Sequence, residues 1–359
     1  DQTHARIAGA DDAMKNYYFI SSPLHFFIAS NLAIENQGQE NIAVIVSKNL
    51  DLAKSFTLAI EQVKGLFQET VSLANDKGLG KIQHRREVMK RIDVLFASDS
   101  SKQIYTGNDR RVEFQYAMHV ASQSGRRATG IYMDDGAVSY IGHKSMNSFA
   151  HRFLDPFLKK LVYGTWWKNA LTIGSSAWIS KAYLAFPEYA HPLLQEKKRL
   201  ALNTDLFSSD QFKQLSKSLL DDRKVDLSCF DAIKVLITLP HEASYMRQPD
   251  SLTSAYKRLL ETFSPRDIGV KAHPRSTNLD LLDEMFPGST RIDKNIGFEL
   301  ILPLLGDDVL VLGDISTTLL SAKWLRPDIR VETLSCEVAS QQMNDLFSAL
   351  GIKKSYSLE

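Results

Sequence analysis

Three short polar segments carry the residue types that transfer of a group from a phosphate-activated donor needs, and they stand in a fixed order. Asp134-Asp135-Gly136 follows the apolar run 130–133, Lys271-Ala272-His273-Pro274 follows 267–270, and Ser316-Thr317-Thr318 follows 309–312. Two adjacent carboxylates repel, so one pKa should rise towards the range of a general base that takes a proton from an acceptor hydroxyl. Pro274 restricts its own backbone and that of His273, so the imidazole is held where it can donate a hydrogen bond or a proton to a leaving phosphate, with the charge of Lys271 beside it. Hydroxyls and amides at a helix start bind phosphate. Each segment also has a plainer use: Asp-Asp-Gly as a turn, Ser-Thr-Thr as an N-cap. The dipeptide His191-Pro192 lacks both a preceding strand and a lysine two residues upstream, and is read as structural. Ser21-Ser22-Pro23, after the first strand, is either a simple N-cap or a set of hydroxyls and amides for a donor carboxylate.

The elements that must position these groups alternate strand and helix. In the first half, strands are predicted at 17–20, 42–46, 70–73, 92–97 and 128–133, with helices beginning at Pro23 and spanning 50–64 and 112–122. In the second half, strands at 233–238, 268–271, 309–312 and 329–333 alternate with helices at 250–262, 278–285, 298–305 and 318–324. Such alternation implies parallel sheets flanked by helices, with ligands outside the carboxyl ends of the strands. The stretch 190–228 is polar and shows no strand pattern. The expected organisation is a Rossmann-like domain at 14–189, a linker at 190–228, a second Rossmann-like domain at 229–335 and a C-terminal helix at 336–359. The class is α/β, of the GT-B type, with two doubly wound domains facing a central cleft.

A chain of 359 residues, 44% hydrophobic and 24% charged, suits two globular cores better than one. Cys229 and Cys336 make neither a disulfide framework nor a metal pattern, which fits a reducing cytoplasm. No run approaches the roughly 20 apolar residues of a membrane span. Residues 1–13 are polar and aperiodic and are read as an appended or frayed leader. Charge is uneven. Residues 14–175 carry 20 Lys+Arg against 14 Asp+Glu, net +6, whereas 176–359 carry 22 against 25, net −3. Arg85-Arg86, Arg110-Arg111 and Arg126-Arg127 would draw in a polyanion, or form an ordinary solvated surface. The stretch 151–168 sets Phe153, Phe157, Leu158, Leu161, Trp166 and Trp167 against Arg152, Lys159, Lys160 and Lys168. It either packs on a sheet or lies on an anionic membrane.

In this order the three motifs resemble those of the bacterial sialyltransferases: acidic-acidic-Gly, Lys-x-His-Pro and Ser-Ser/Thr. Gly297-Phe298-Glu299 resembles the Pro-Phe-Glu of some of these enzymes, with Gly297 in place of the proline. The two-domain length, Ser139-Tyr140 shortly after the Asp-Asp-Gly and the basic first half favour the capsule polysialyltransferases, glycosyltransferase family 38. The lipooligosaccharide sialyltransferases of family 52 are close competitors. The resemblance implies Asp135 as general base, Asp134 orienting it or sharing the proton, and His273 as acid or hydrogen-bond donor to departing CMP. It places Lys271 and Pro274 near the nucleotide, Glu299 on the ribose and Ser316 and Thr317 on the phosphate. It further implies inverting displacement from CMP-Neu5Ac onto a sialylated or polysialic acid glycan, with no cofactor, no metal and no nucleic-acid partner. The acceptor would be held by Arg85, Arg86, Arg126 and Arg127. The setting would be the cytoplasm, with peripheral association at the inner membrane or a capsule complex. A CMP-Kdo-dependent transferase, a phosphohydrolase with a metal on Asp134, Asp135, His273 and Asp314, and a non-catalytic glycan-binding protein are the competing readings.

Overall fold

The computed structural model describes residues 14–47, 49–73, 81–98, 100–123, 127–142, 159–160, 162–221, 225–247, 249–334 and 339–354. The leader 1–13, Arg126, the stretch 143–158, Leu161 and Cys336 are among the residues outside them. Two compact units emerge. The first comprises residues up to Asp135, Gly142–Pro187 and His191–Leu202; the second comprises Gly136–Ile141, Glu188–Ala190 and Asn203–Glu359.

The first unit is built on β1 (Lys15–Ile20), β2 (Glu40–Ile45), β3 (Glu69–Ser72), β4 (Lys102–Thr106), β5 (Ala128–Met133), β6 (Ile179–Leu184) and β7 (Lys198–Ala201), in the order β3-β2-β1-β4-β5-β6-β7. Every pairing is parallel. A parallel sheet is covered on both faces, which is why β1 and β2 read as continuous buried runs and not as alternation. The helices α1 (Pro23–Glu35), α2 (Leu50–Gln62), α3 (Lys81–Leu95) and α4 (Val112–Ala121) connect the early strands. Asn49 caps α2, its side chain accepting from the Asp51 and Leu52 amides. The fully buried Asp109 accepts from the Gly174 and Ser176 amides, at 2.8 Å each, and fixes the segment that leads into β6.

Two sequence expectations change here. The strand predicted at 92–97 is the end of α3 and the turn after it. Val88, Ile92 and Phe96 are all buried at a spacing of four, a helical period that begins among charged residues and is invisible in the short apolar run alone. The strand in its place is β4, central in the sheet although it opens with Lys102 and Gln103. Lys102 is 1% exposed, its ammonium satisfied by the carbonyls of Ser98 and Ser100. The stretch 190–228 does contain a strand, the edge strand β7, followed by the amphipathic helix Asp210–Asp221.

The second unit holds β8 (Val235–Thr238), β9 (Ile268–Lys271), β10 (Thr290–Ile292), β11 (Leu310–Gly313), β12 (Arg330–Thr333) and β13 (Lys353–Lys354), again all parallel, in the order β10-β9-β8-β11-β12-β13. Val235, Ile237, Ile268 and Val270 pack with Tyr245, Leu252, Tyr256 and Leu282 in a closed core. The C-terminal stretch expected to be one helix consists, where described, of the helix Gln341–Ala349 and then β13. In each unit the strand order reverses once, between β1 and β4 and between β8 and β11, and at such a switch point the loops at the carboxyl ends part to leave room for a ligand.

Candidate active site

At the switch point of the first unit, the chain leaves β1 through Ser21 and Ser22 into α1. Ser22 is the N-cap, its oxygen accepting from the His25 amide at 3.2 Å, with Pro23 in the first turn. This is the plainer of the two uses expected for that serine. The cap sets His25 inward, 3% exposed, where its ring joins two partners. Nδ1 lies 2.9 Å from Ser21 Oγ, and Nε2 lies 2.8 Å from Asp135 Oδ1. An ionised carboxylate only accepts, so Nε2 carries the proton in that pairing, and a neutral ring then accepts at Nδ1 from the Ser21 hydroxyl. Gly107, just past β4, makes room for the ring: a Cβ there would stand 2.0 Å from Nε2 and 2.3 Å from Cδ2.

The two adjacent carboxylates therefore have different surroundings. Asp134 is fully buried, and its Oδ2 accepts from the Ala185 amide at 2.9 Å, tying the end of β5 to the end of β6. Asp135 keeps a quarter of its side chain exposed, with His25 on one oxygen. Of the pair, Asp135 is the one with solvent-exposed surface. Sequence reasoning missed His25. Its contact with Asp135 spans 110 residues, and the available local signal was the four-residue spacing from Ser21 across a helix start.

A cavity of about 570 Å³ opens at the same carboxyl edge, its wall including Ser47, His84, Arg85, Asn108, Arg110 and Arg111. Arg85 also donates to Tyr163 Oη and lies over that ring. Arg111 donates to the Val46 carbonyl and pairs with Glu113. Of the arginines expected to meet an acceptor, Arg85 is in this wall. Arg86 is exposed on α3 but does not line the cavity. Arg127 precedes β5, and its carbonyl accepts from the Lys102 amide at the amino edge of the sheet, opposite Asp135.

In the second unit, β9 ends in Lys271, 5% exposed, whose ammonium donates to the Lys294 carbonyl. Burial pushes Lys271 below the ordinary lysine range, with Glu299 and Asp293 opposing. Burial likewise raises the Glu299 carboxyl, against the pull of Lys271. Glu299 opens the helix Phe298–Ile301 behind the N-cap Gly297, whose φ of −59° is one that proline also adopts. His273 Nδ1 accepts from the Arg275 amide at 3.1 Å, so the proton of the neutral ring sits on Nε2. Burial first, and then the charges of Arg275, His241 and Lys271, hold its pKa below the usual 6.5. In its neutral form His273 thus offers a ligand its Nε2–H as a donor. Pro274, beside it, is exposed. Ser316 occupies the N-cap position of the helix Thr317–Leu325 but makes no side-chain cap, and Thr317 is exposed. Its hydroxyl and the first-turn amides are open to an anion. Among the described residues, no three His, Cys, Asp or Glu side chains group as metal ligands.

Two all-parallel α/β units with polar groups at their switch points are the architecture of the GT-B fold. Residues 16–335 match the family model described as alpha-2,8-polysialyltransferase, and the chain belongs to that family. It is a glycosyltransferase, of the sialyltransferase kind. Similar solved structures agree on the fold. The alpha/beta-galactoside alpha-2,3-sialyltransferase of Photobacterium phosphoreum has 12% identity over 96% of this chain and 98% of its own, with a TM-score of 0.55. The GT-B domain of a sialyltransferase from Photobacterium damselae has 14% identity over 95% and 97%, at 0.54. A UDP-N-acetylglucosamine 2-epimerase has 12% identity over 96% and 83%, at 0.53, so the architecture by itself does not select the reaction. No curated protein matches the chain in sequence.

Among the described residues, no helix is long and apolar enough to cross a membrane. Of the described residues within 151–168, Trp167 is 1% exposed and packs against Tyr163 and edge-on to Trp166; Phe153, Phe157, Leu158 and Leu161 lie outside the described residues.

Proposed function

We propose that the chain is an inverting, metal-independent sialyltransferase that moves Neu5Ac from CMP-Neu5Ac to the end of an anionic, already sialylated glycan, as capsule polysaccharide assembly at the cytoplasmic side of the inner membrane requires. The observation that carries this reading is the division of chemistry between the units. The first presents an acceptor-only group, Asp135, and the second presents donors: His273 Nε2–H, the Ser316 and Thr317 hydroxyls and a helix N-terminus. In the reaction, the acceptor hydroxyl oxygen attacks the anomeric carbon and gives its proton to Asp135. The bond from that carbon to the phosphate oxygen breaks, and CMP leaves with the electron pair. His273 and the helix start stabilise the charge that gathers on the phosphate, and Glu299 is placed to bind a ribose hydroxyl.

His25 holds Asp135 in position, and Asp134 holds the loop. The cavity with His84, Arg85, Arg110 and Arg111 supplies the cationic wall that a carboxylate-bearing acceptor needs, and its Asn108 adjoins the Gly107 on which His25 rests. Incubation with CMP-Neu5Ac, excess EDTA and a short oligosialic acid primer should give a ladder of products by mass spectrometry. Transfer from CMP-Kdo in place of CMP-Neu5Ac would instead make this a Kdo transferase, and loss of activity in EDTA would refute metal independence.

A further inference from the structure

The neighbouring strands β8 and β9 each lead into a histidine, His241 and His273. Each is oriented by the same bond, Nδ1 accepting from the amide two residues on: Ala243 at 3.2 Å for His241, Arg275 at 3.1 Å for His273. In both neutral rings the proton is therefore on Nε2. Among the described residues neither Nε2 has a hydrogen-bond partner. The ring centroids are 5.8 Å apart at 69°, close enough for both rings to adjoin one phosphate-sized group, each N–H···O bond being about 2.9 Å.

The spacing is fixed by Glu242. Its carboxylate accepts from the Thr277 and Asn278 amides, at 3.0 Å each, and from the Thr277 hydroxyl, so the loop after β8 is laced to the loop after β9. His191 caps a short helix with the same Nδ1 bond, but its ring packs on Gly142, and among the described residues it has no ring contact with a second imidazole. The cap alone thus does not produce the pair.

We propose that His241 is a second phosphate-binding residue, and that the two imidazoles grip the phosphate of the donor nucleotide from two sides. This rests on the reading of His273 as the donor to CMP. The test is calorimetric titration of the full chain with CMP, using wild type, His241→Asn, His273→Asn and the double variant. Asparagine offers its side-chain oxygen as the capping acceptor in place of Nδ1 and removes the Nε2–H. His241→Asn should weaken CMP binding by about tenfold or more, as loss of one bond to a charged group does. It should leave the melting temperature and the affinity for cytidine unchanged, and the double variant should depart from the sum of the two singles.

Wild-type CMP affinity in His241→Asn, with weakened binding in His273→Asn, would overturn the pair while sparing the reading of His273. Wild-type affinity in both would overturn both. Should the variant not fold, ¹⁵N-histidine spectra of the wild type decide: two imidazoles shifting at the same CMP concentration support the pair, and one alone refutes it.

Discussion

Replacing Gly107 with alanine adds a single methyl group against a ring that has nowhere to go. The new Cβ would lie 2.0 Å from His25 Nε2, 2.3 Å from Cδ2 and 2.5 Å from Cε1, whereas comfortable carbon contacts begin near 3.5 Å. Ring or backbone must therefore give way by roughly 1 Å or more. The ring is tethered at both nitrogens, to Ser21 at 2.9 Å and to Asp135 at 2.8 Å, and such a shift takes the second contact out of the 2.7–3.2 Å window. Losing one hydrogen bond to a charged group costs about 1.5–3 kcal/mol, a factor of roughly 10 to 150.

If Asp135 depends on His25 for its position, kcat for sialyl transfer should fall by that factor. Complete loss of the general base, about 10²–10⁴-fold, sets the ceiling. The assay is initial-rate transfer to an oligosialic primer, with calorimetric CMP affinity as a control that should not move. The internal check is the double variant: in a His25→Ala background the methyl has room, so Gly107→Ala should add little further loss. Wild-type kcat in Gly107→Ala would refute the role of the His25 contact, as would full additivity of the two changes.

Asp135→Asn should lower kcat by about 10²–10⁴-fold with CMP affinity retained. Asp134→Asn should chiefly lower the melting temperature, because its carboxylate serves the Ala185 amide; inactivity only in the latter would reverse the assignment. Ser316→Ala with Thr317→Ala should weaken CMP binding more than it slows the chemical step, as calorimetry beside single-turnover kinetics would show. In the free enzyme His273 should titrate below 6.5 by NMR. The folded chain then binds fewer protons there than the unfolded one, so this histidine's contribution to stability is present above 6.5 and is lost as the pH falls below it; a midpoint above 6.5 would contradict that surrounding. Reversing charge at Arg110 and Arg111 should raise KM for long anionic primers and flatten its rise with salt, since exposed charges are screened within about 10 Å at 0.1 M. An unaltered salt profile would remove the cavity from acceptor binding.

Much of this architecture is legible in the sequence because parallel strands buried on both faces leave unbroken apolar runs. β5 and β9 can be read directly, and with them the places of Asp135 and His273. What escapes is whatever depends on a partner distant in sequence. β4 hides behind Lys102, a buried cation whose carbonyl partners are visible only in three dimensions. β7 carries Lys198 and Arg199 as an edge strand and so looks like linker. His25 and His241 sit outside the three motifs, yet each is aimed by local capping geometry and then meets its counterpart through the fold: His25 meets Asp135 and His241 meets His273. Asp134 and Asp135 look equivalent on paper and are separated by which of them the end of β6 reaches.

The outermost strands also bear on how the protein behaves in concentrated solution. Among the described residues each sheet ends in two strands that have a strand neighbour on one side, and each of these carries charge: Glu69 on β3, Lys198 and Arg199 on β7, Arg291 on β10, and Lys353 and Lys354 on β13. With a net charge of only +1 and an isoelectric point near 7.9, long-range repulsion between molecules is weak close to neutral pH. Protection against strand-to-strand stacking therefore falls to these few side chains, because a lysine on an open margin resists the approach of another backbone. Colloidal stability in this enzyme is thus a local property of the sheet margins. Neutralising Lys353 and Lys354 would promote self-association while leaving both switch-point sites untouched.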